Sequence, residues 1–243
     1  MPQIVPALTA LAALATLNPA VASAADRSIG IGSFDRLRVD GPFLVTVTTG
    51  RSPGARISGK SAGILDVEVR NEGGTLTVRR ATTGRWTEQG APSASEPVTV
   101  ALSTPALTGA AVVGGGKVTI DRMKGVRVDL SVTGPGAITL AALDAEEARA
   151  QLIGSGSLTV AGKATTVRLT TNGPGTIDAA RLDAGDLVVG LDGLGETSAR
   201  ARYSAQVSST GLGTISIAGR PKCVVRALSS APITCGDAPA SGH

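Results

Sequence analysis

The stretch Val132-Thr133-Gly134-Pro135-Gly136-Ala137-Ile138-Thr139-Leu140 places a glycine-any-glycine corner between two segments of alternating polarity. The same corner recurs through the C-terminal half of the chain, with these glycine pairs: Gly114/Gly116, Gly134/Gly136, Gly154/Gly156, Gly173/Gly175, Gly193/Gly195 and Gly211/Gly213. A degenerate copy stands at Ser229/Ala231, and the copies follow one another at nearly even intervals. A short, nearly fixed period predicts a solenoid, in which each repeat packs on the next.

Apolar residues keep fixed positions relative to each corner. Two residues after the second corner position stand Val118, Ile138, Leu158, Ile177, Thr197, Ile215 and Ile233. Four residues before the first corner position stand Ala110, Leu130, Ala150, Leu169, Val189, Val207 and Val225. Because these positions alternate with polar ones, both flanks of each corner are predicted to be strands with one buried face.

The corner glycines have a predicted structural role. Each bend lies on the bend of the next coil, and glycine reaches positive φ without strain and leaves room for the neighbouring backbone. Pro135 and Pro174 lie between their glycines and suit a turn. The fold class predicted from the repeat is all-β, a parallel β-helix with coils of about 18–20 residues.

A row of small polar residues is predicted to face outward, one from each coil. Its members are Thr119, Thr139, Thr159, Asp178, Ser198, Ser216 and Thr234. Such a row, with a rung spacing of about 4.8 Å, is a candidate binding face for a glycan or another extended polymer. Small β-formers also suit the outside of any strand, and the row lacks the aromatic residues that stack on sugars. An ice-binding surface would need a second threonine column, which the neighbouring positions do not supply.

Residues 1–24 have the features of a secretory signal. Residues 6–24 are apolar and uncharged, and Ala22-Ser23-Ala24 is an A-x-A cleavage site, so we expect a mature chain that begins at Ala25. A membrane-spanning helix is the alternative, but Asn18-Pro19 interrupts the run and it is short for a span. We expect no membrane span after cleavage, and export to the periplasm, the cell surface or the medium.

About 219 residues remain after cleavage, enough for one long domain. We expect a single domain over residues 25–243, with N-terminal strands and a loop over 29–107, regular coils over 108–235, and a loose tail over 236–243. Strands are predicted around residues 34–39, 43–48, 56–58, 65–69, 75–78 and 98–102, with a hairpin turn at 71–74. Residues 81–97 are predicted to be a loop, in which Trp86 either contacts a partner or packs over the end of the coil.

The N-terminal segments add a family resemblance. Ser33-Phe34-Asp35-Arg36-Leu37-Arg38-Val39, Phe43-Leu44-Val45-Thr46-Val47 and Gly74-Thr75-Leu76-Thr77-Val78 resemble the head GIN domain of putative auto-transporter adhesins, a domain of unknown function. Residues 100–118 and the corner at Gly134 resemble its glycine corners. The resemblance covers nearly all of the mature chain, and its motifs are structural. It implies a right-handed parallel β-helix in a secreted or envelope protein, and the family name implies adhesion. We see no β-barrel translocator, so self-export is not expected.

Catalytic residues are not evident, and we expect no enzyme activity. Polysaccharide-active β-helices need paired carboxylates or a calcium-bound basic residue, whereas the acidic residues here are dispersed. The one histidine, His243, stands at the chain end, and the sequence shows no nucleophile elbow, metal-ligand cluster or cofactor motif. The net charge of +4 is scattered, with basic pairs only at Arg79-Arg80 and Arg200/Arg202 and four aromatic residues in all, which argues against nucleic-acid binding.

The two cysteines stand at related places in the last repeat. Cys223 lies six residues before Ser229 and Cys235 six residues after it, both at positions that face inward in other coils. In an oxidising compartment they are predicted to form a disulfide that fixes the C-terminal coil. Two buried free thiols are the alternative, and the spacing is not that of a catalytic dithiol.

The sequence therefore predicts an exported, non-catalytic binding module, with a cell-surface glycan or an envelope protein as partner. A polysaccharide-active enzyme and a structural envelope protein that joins end to end with its own copies are the alternatives.

Overall fold

The computed structural model describes residues 25–59, 64, 67–81, 98–228 and 230–236, which form sixteen strands in one sheet. The strands are β1 (Ala25–Ile29), β2 (Arg36–Asp40), β3 (Leu44–Thr49), β4 (Gly54–Gly59), β5 (Val67–Glu72), β6 (Thr75–Arg80), β7 (Thr99–Thr104), β8 (Gly109–Val113), β9 (Lys117–Thr133), β10 (Ala137–Ile153), β11 (Ser157–Asn172), β12 (Thr176–Asp192), β13 (Glu196–Ser209), β14 (Thr214–Gly219), β15 (Lys222–Ala227) and β16 (Ile233–Cys235). The predicted β-helix is confirmed, because the coils stack in parallel into a β-solenoid of about six turns.

Each regular coil is one long strand that bends around the core. The strands β9 to β13 are 14 to 17 residues long and pair in parallel with the coil on either side. Residues 141–150, which have helical propensity, lie within β10 as part of the coil. The glycine corner joins one strand to the next. A second corner, at residues 121–126 of β9 and their partners on the other coils, bends each long strand near its middle, where the alternation of buried and exposed residues is interrupted.

The second corner absorbs the differences in coil length. Between β10 and β11, Leu140 pairs with Val160 but Leu143 pairs with Gly162, so β11 is one residue shorter there. The pairing of β11 with β12 shifts back after Thr159, and a further shift between β12 and β13 follows Ala179. The residues beside the glycine corner keep their pairing register through these changes. The sequence repeat is therefore most regular at that corner.

The first glycine of each corner supplies the turn. Positive φ is found at Gly114, Gly134, Gly154, Gly173 and Gly193, with a value of 98° at Gly134. This left-handed conformation is one that L side chains rarely adopt, so glycine is required there. The positive φ expected at the corners is therefore confirmed for these five first glycines.

The second glycine of each corner has the other predicted role, which is to leave room for the neighbouring backbone. None of these second glycines has positive φ: Gly116, Gly136, Gly156, Gly175, Gly195 and Gly213. A Cβ added to any of the six would instead lie 2.7 Å or less from a backbone carbonyl oxygen of the coil below. The second glycine therefore leaves the space that stacked backbones need.

The solenoid has two broad faces that carry outward side chains. The threonine face consists of the outward positions of β7, β3, the N-terminal halves of β9 to β13, β14 and β16. The arginine face consists of the outward positions of β5, β6, β2, β8, the C-terminal halves of β9 to β13, and β15. Between the two faces lies a core of valine, leucine, isoleucine and alanine. Thr171 and Thr197 are buried in it, with their hydroxyl oxygens 3.0 Å apart in a hydrogen bond.

The N-terminal end departs from the parallel pattern. The predicted hairpin at 71–74 is confirmed, since β5 and β6 pair antiparallel. Unlike the regular coils, β1 pairs antiparallel with β4, and β4 pairs antiparallel with β7. The strand at 65–69 begins at Val67, and residues 65 and 66 lie outside the described residues. This end of the solenoid therefore terminates in β1 and β5.

The C-terminal end is formed by β15 and β16, and the predicted disulfide between Cys223 and Cys235 joins them. Both cysteines lie in inward columns, because Cys223 pairs with Ala205 and Cys235 with Ile217. Cys223 is nevertheless exposed, because no coil covers β15. The loose tail predicted over 236–243 lies almost entirely outside the described residues.

Candidate functional site

The outward row predicted from the repeat lies in register along the threonine face. Thr119, Thr139 and Thr159 pair on adjacent coils, and the row continues through Asp178, Ser198 and Ser216 to Thr234. The Asp178 carboxylate accepts hydrogen bonds from the Ser198 hydroxyl at 3.2 Å and the Ala180 amide at 3.1 Å. The one charge in the row is therefore engaged in local hydrogen bonds, and the row presents short side chains.

A groove of about 700 Å³ crosses the arginine face at β8. Arg36 and Arg38 of β2 line one side, and Arg127 of β9 and Arg149 of β10 line the other. Between them β8 contributes the outward residues Gly109 and Ala111 to the lining, and its third outward residue, Val113, is not part of the lining. Long side chains on both sides of these two small residues create the concavity.

The stacking of coils brings these arginines together from distant parts of the chain. Arg36 pairs with Gly109, Gly109 with Asp129, and Asp129 with Arg149. Arg127 stands beside Glu147 on the adjacent coil. Asp129 is the one carboxylate in the lining of the groove. The lining therefore carries four guanidinium groups and one carboxylate, while Asp40 and Glu147 outside the lining pair with three of the arginines.

Two of the arginines are held by Glu147. Arg127 Nε donates to Oε2 of Glu147 at 2.9 Å, and Arg149 Nε donates to Oε1 at 2.8 Å. The hydrogen bonds, first from Arg149 and then from Arg127, hold the pKa of the Glu147 carboxyl below its usual range. Because the folded-state pKa is lowered, the carboxylate stays charged as the pH falls into the usual glutamate range, and the bonds are lost only at lower pH.

Arg36 differs from the other three arginines. Arg38 Nε lies 3.1 Å from Asp40 Oδ2, whereas Arg36 has no ion pair within the described part of the chain. Its aliphatic carbons lie over Gly109, since a Cβ placed there would be 3.3 Å from Arg36 Cγ. A guanidinium without a carboxylate partner is available to bind a carboxylate or sulfate in the bidentate geometry that arginine favours.

A second concavity, of about 530 Å³, lies at the second corner beside Val126 and differs in its charge. The column through this corner reads Lys124, Asp144, Lys163, Asp183 and Arg200, with signs that alternate from coil to coil. Lys163 Nζ lies 3.7 Å from Asp144 Oδ1, and Arg202 Nε lies 3.0 Å from Asp183 Oδ1. Opposite charges on neighbouring strands stabilise the stack and leave little excess charge.

Other site chemistry has little support in the described residues. They contain no group of three or more His, Cys, Asp or Glu side chains placed to bind a metal ion. No helix within them has the length and apolar character that a bilayer crossing requires. The predicted signal over 1–24, Trp86 and His243 lie outside the described residues.

The groove was missed by the sequence analysis. It identified basic pairs at Arg79-Arg80 and Arg200/Arg202, which are close in sequence, whereas the groove is assembled across coils. Arg127 and Arg149 occupy outward positions that the repeat register could have aligned. Arg36 precedes the first regular coil, so no period in the sequence assigns it a partner.

The chain is similar to known proteins over most of its length. Residues 33–221 match the family described as putative auto-transporter adhesin, head GIN domain. The crystal structure of a putative adhesin from Bacteroides fragilis NCTC 9343 is similar with a TM-score of 0.77 and 19% identity, covering 88% of this chain and 96% of that one. The crystal structure of a putative lipid binding protein from Parabacteroides distasonis ATCC 8503 is similar with a TM-score of 0.69 and 18% identity, covering 88% of this chain and 96% of that one.

A putative adhesin from Parabacteroides merdae ATCC 43184 is similar with a TM-score of 0.67 and 14% identity, covering 90% of this chain and 98% of that one. At these identities the structures share the fold, and their names describe those proteins alone. No curated protein matches the sequence of the chain. Because the family match extends over more than half of the residues, this chain belongs to the family of the putative auto-transporter adhesin, head GIN domain.

Proposed function

We propose that the protein is an exported, non-catalytic adhesin-like module that binds an acidic glycan of the cell surface through the arginine groove. The observation that carries the proposal is the groove itself, in which four arginines and one aspartate surround the small outward residues Gly109 and Ala111 of β8. Ligand sites are usually concave with a few converging polar groups, and arginine binds carboxylates and sulfates with two parallel hydrogen bonds. The family description agrees with a binding role.

The threonine row is the weaker candidate for the same role. Its seven positions repeat regularly, but they carry one charge, and Asp178 already accepts bonds from its neighbours. The row has no positively charged side chain that would bind an acidic glycan. We therefore place recognition in the groove.

Binding to polygalacturonate, a polymer of uronic acid, tests the proposal. We expect the purified protein to bind it, to release it as salt concentration rises, and to bind neutral dextran at least tenfold more weakly. Replacing Arg36 and Arg149 by glutamine should weaken binding by on the order of tenfold or more, because each charge-assisted hydrogen bond contributes about 1.5–3 kcal/mol. Replacing Glu147 by glutamine should strengthen binding roughly two- to fivefold, because two arginines are released.

The matched control is a double glutamine variant at Arg56 and Arg181, exposed arginines outside the groove that remove the same net charge. Equal losses in both double variants would contradict the groove as the site. Release of reducing ends from the bound polymer would instead support the enzyme alternative, and binding to anionic lipid vesicles but not to the polymer would contradict a glycan ligand.

Export is a separate part of the proposal. It is supported by the disulfide, since such bonds persist mainly in oxidising compartments, and by the family description. We expect mass spectrometry of the exported protein to show a chain that starts at Ala25. A full-length chain held in the membrane fraction would contradict cleavage.

A further inference from the structure

The C-terminal end of the solenoid is an uncovered strand. Among the residues that the structure describes, β15 pairs with β13 alone, and all six of its residues are exposed. Val225 is 45% exposed although it occupies the inward column in which Leu130, Leu169, Val189 and Val207 are at most 4% exposed. Val224 and Leu228 are also exposed, at 46% and 89%. An apolar edge strand of this kind favours pairing with another strand.

The N-terminal end carries an edge strand of the same length on the same face. β5 is six residues long and, within the described parts of the chain, pairs with β6 alone. Glu68, Arg70 and Glu72 are its outward residues, and the Glu72 side chain is 79% exposed. Val69 is one of its inward residues and is only partly buried. Glu68 is ion-paired with Arg70 and Arg79, whereas Glu72 lies 3.9 Å from Arg70. This end therefore offers one loosely paired carboxylate, that of Glu72, and an incompletely covered valine.

We propose that copies of the chain associate end to end, with β15 of one copy adding antiparallel to β5 of the next. The direction follows from the topology: β15 runs with the coils and β5 runs against them. Full overlap of the two strands places Lys222 opposite Glu72 and Arg226 opposite Glu68. Val225 then lies opposite Val69, which continues the apolar core from one copy into the next.

Charge selects this arrangement over a symmetric pair of C-terminal ends. β15 carries Lys222 and Arg226 and no acidic residue, so two β15 strands would bring like charges together. The contact between unlike ends does not close on itself and extends into a filament of solenoids. The occupant of the open end is a second copy of this chain.

Sedimentation velocity of the purified protein with its disulfide intact tests the proposal. We expect the average mass to rise with concentration beyond that of a dimer, and less so at high salt. Lys222→Glu and Glu72→Lys should each weaken association about tenfold or more. An equimolar mixture of the two variants should restore it, because the two unchanged ends still match each other and the two changed ends carry opposite charges at the paired positions 222 and 72. Lys117→Glu, which changes an exposed lysine in the middle of the solenoid, is the matched control.

Three results would overturn the proposal. The first is a monomer at the highest soluble concentration, and the second is a discrete dimer that Glu72→Lys leaves intact. The third is an equal loss of association with Lys117→Glu, which would assign the effect to net charge.

Discussion

Replacing Gly154 by valine should lower the melting temperature by about 10 °C or more, or prevent folding. The backbone at Gly154 has φ of 108°, and a non-glycine residue in such a conformation costs roughly 1–3 kcal/mol. The new Cβ would also lie 3.2 Å from N, Cα and O of Gly134 in the coil below. Overpacking of this kind costs typically about 1–3 kcal/mol more, and a domain of this size loses about 2–4 °C per kcal/mol.

Alanine substitutions at Gly136, the second glycine of its corner, and at Gly115, the middle residue of its corner, test the need for space without the effect of positive φ. Neither Gly136 nor Gly115 has positive φ. A Cβ at Gly136 would lie 2.6 Å from both the Gly114 carbonyl oxygen and Val112 Cγ1, whereas a Cβ at Gly115 would meet nothing within 4 Å. We therefore expect Gly136→Ala to lower the melting temperature markedly and Gly115→Ala to leave it nearly unchanged. Equal melting temperatures for the two variants would contradict stacked corners as the source of the effect.

The regular coils could be predicted because residues at the same position of the sequence repeat occupy the same place in each coil. Val118, Ile138 and Leu158 occupy the same inward column and are at most 2% exposed, as their places after the corners predicted. The outward row is in register for the same reason. Gly211 is the exception, since it lacks the positive φ of the five preceding first glycines. The interval from Gly193 to Gly211 is shorter than the preceding one, so the spacing signals a difference but not its form.

The ends of the solenoid and the groove could not be predicted in this way, because their contacts involve segments that lie outside the sequence repeat. The antiparallel pairs of β4 with β1 and β7 join segments that no repeat relates. The groove needs the register of Arg36 against Gly109, which follows from the path of β2 and from no motif.

Removing the disulfide should destabilise the last coil by about 3 kcal/mol. Cys223 and Cys235 are 12 positions apart, and a closed loop of about 13 residues is stabilised by about this amount in the chain-entropy model. The bond is important for this coil because β15 and β16, as far as the structure describes the chain, each pair with one strand only, and β15 is fully exposed. Without the bond, the last coil has few contacts that oppose its local unfolding.

The measurement is hydrogen exchange at the amides of β15 and β16, with thermal unfolding alongside. In the Cys223→Ser, Cys235→Ser double variant, we expect fast exchange in these two strands and unchanged protection in β10 to β12, because each coil contacts mainly its neighbours. A reductant should lower the stability of the native protein and leave that of the double variant unchanged. Thiol titration of the denatured, unreduced protein should detect no free thiol. Two free thiols would contradict the bond, and full protection of β15 in the double variant would contradict its role in holding the end of the solenoid.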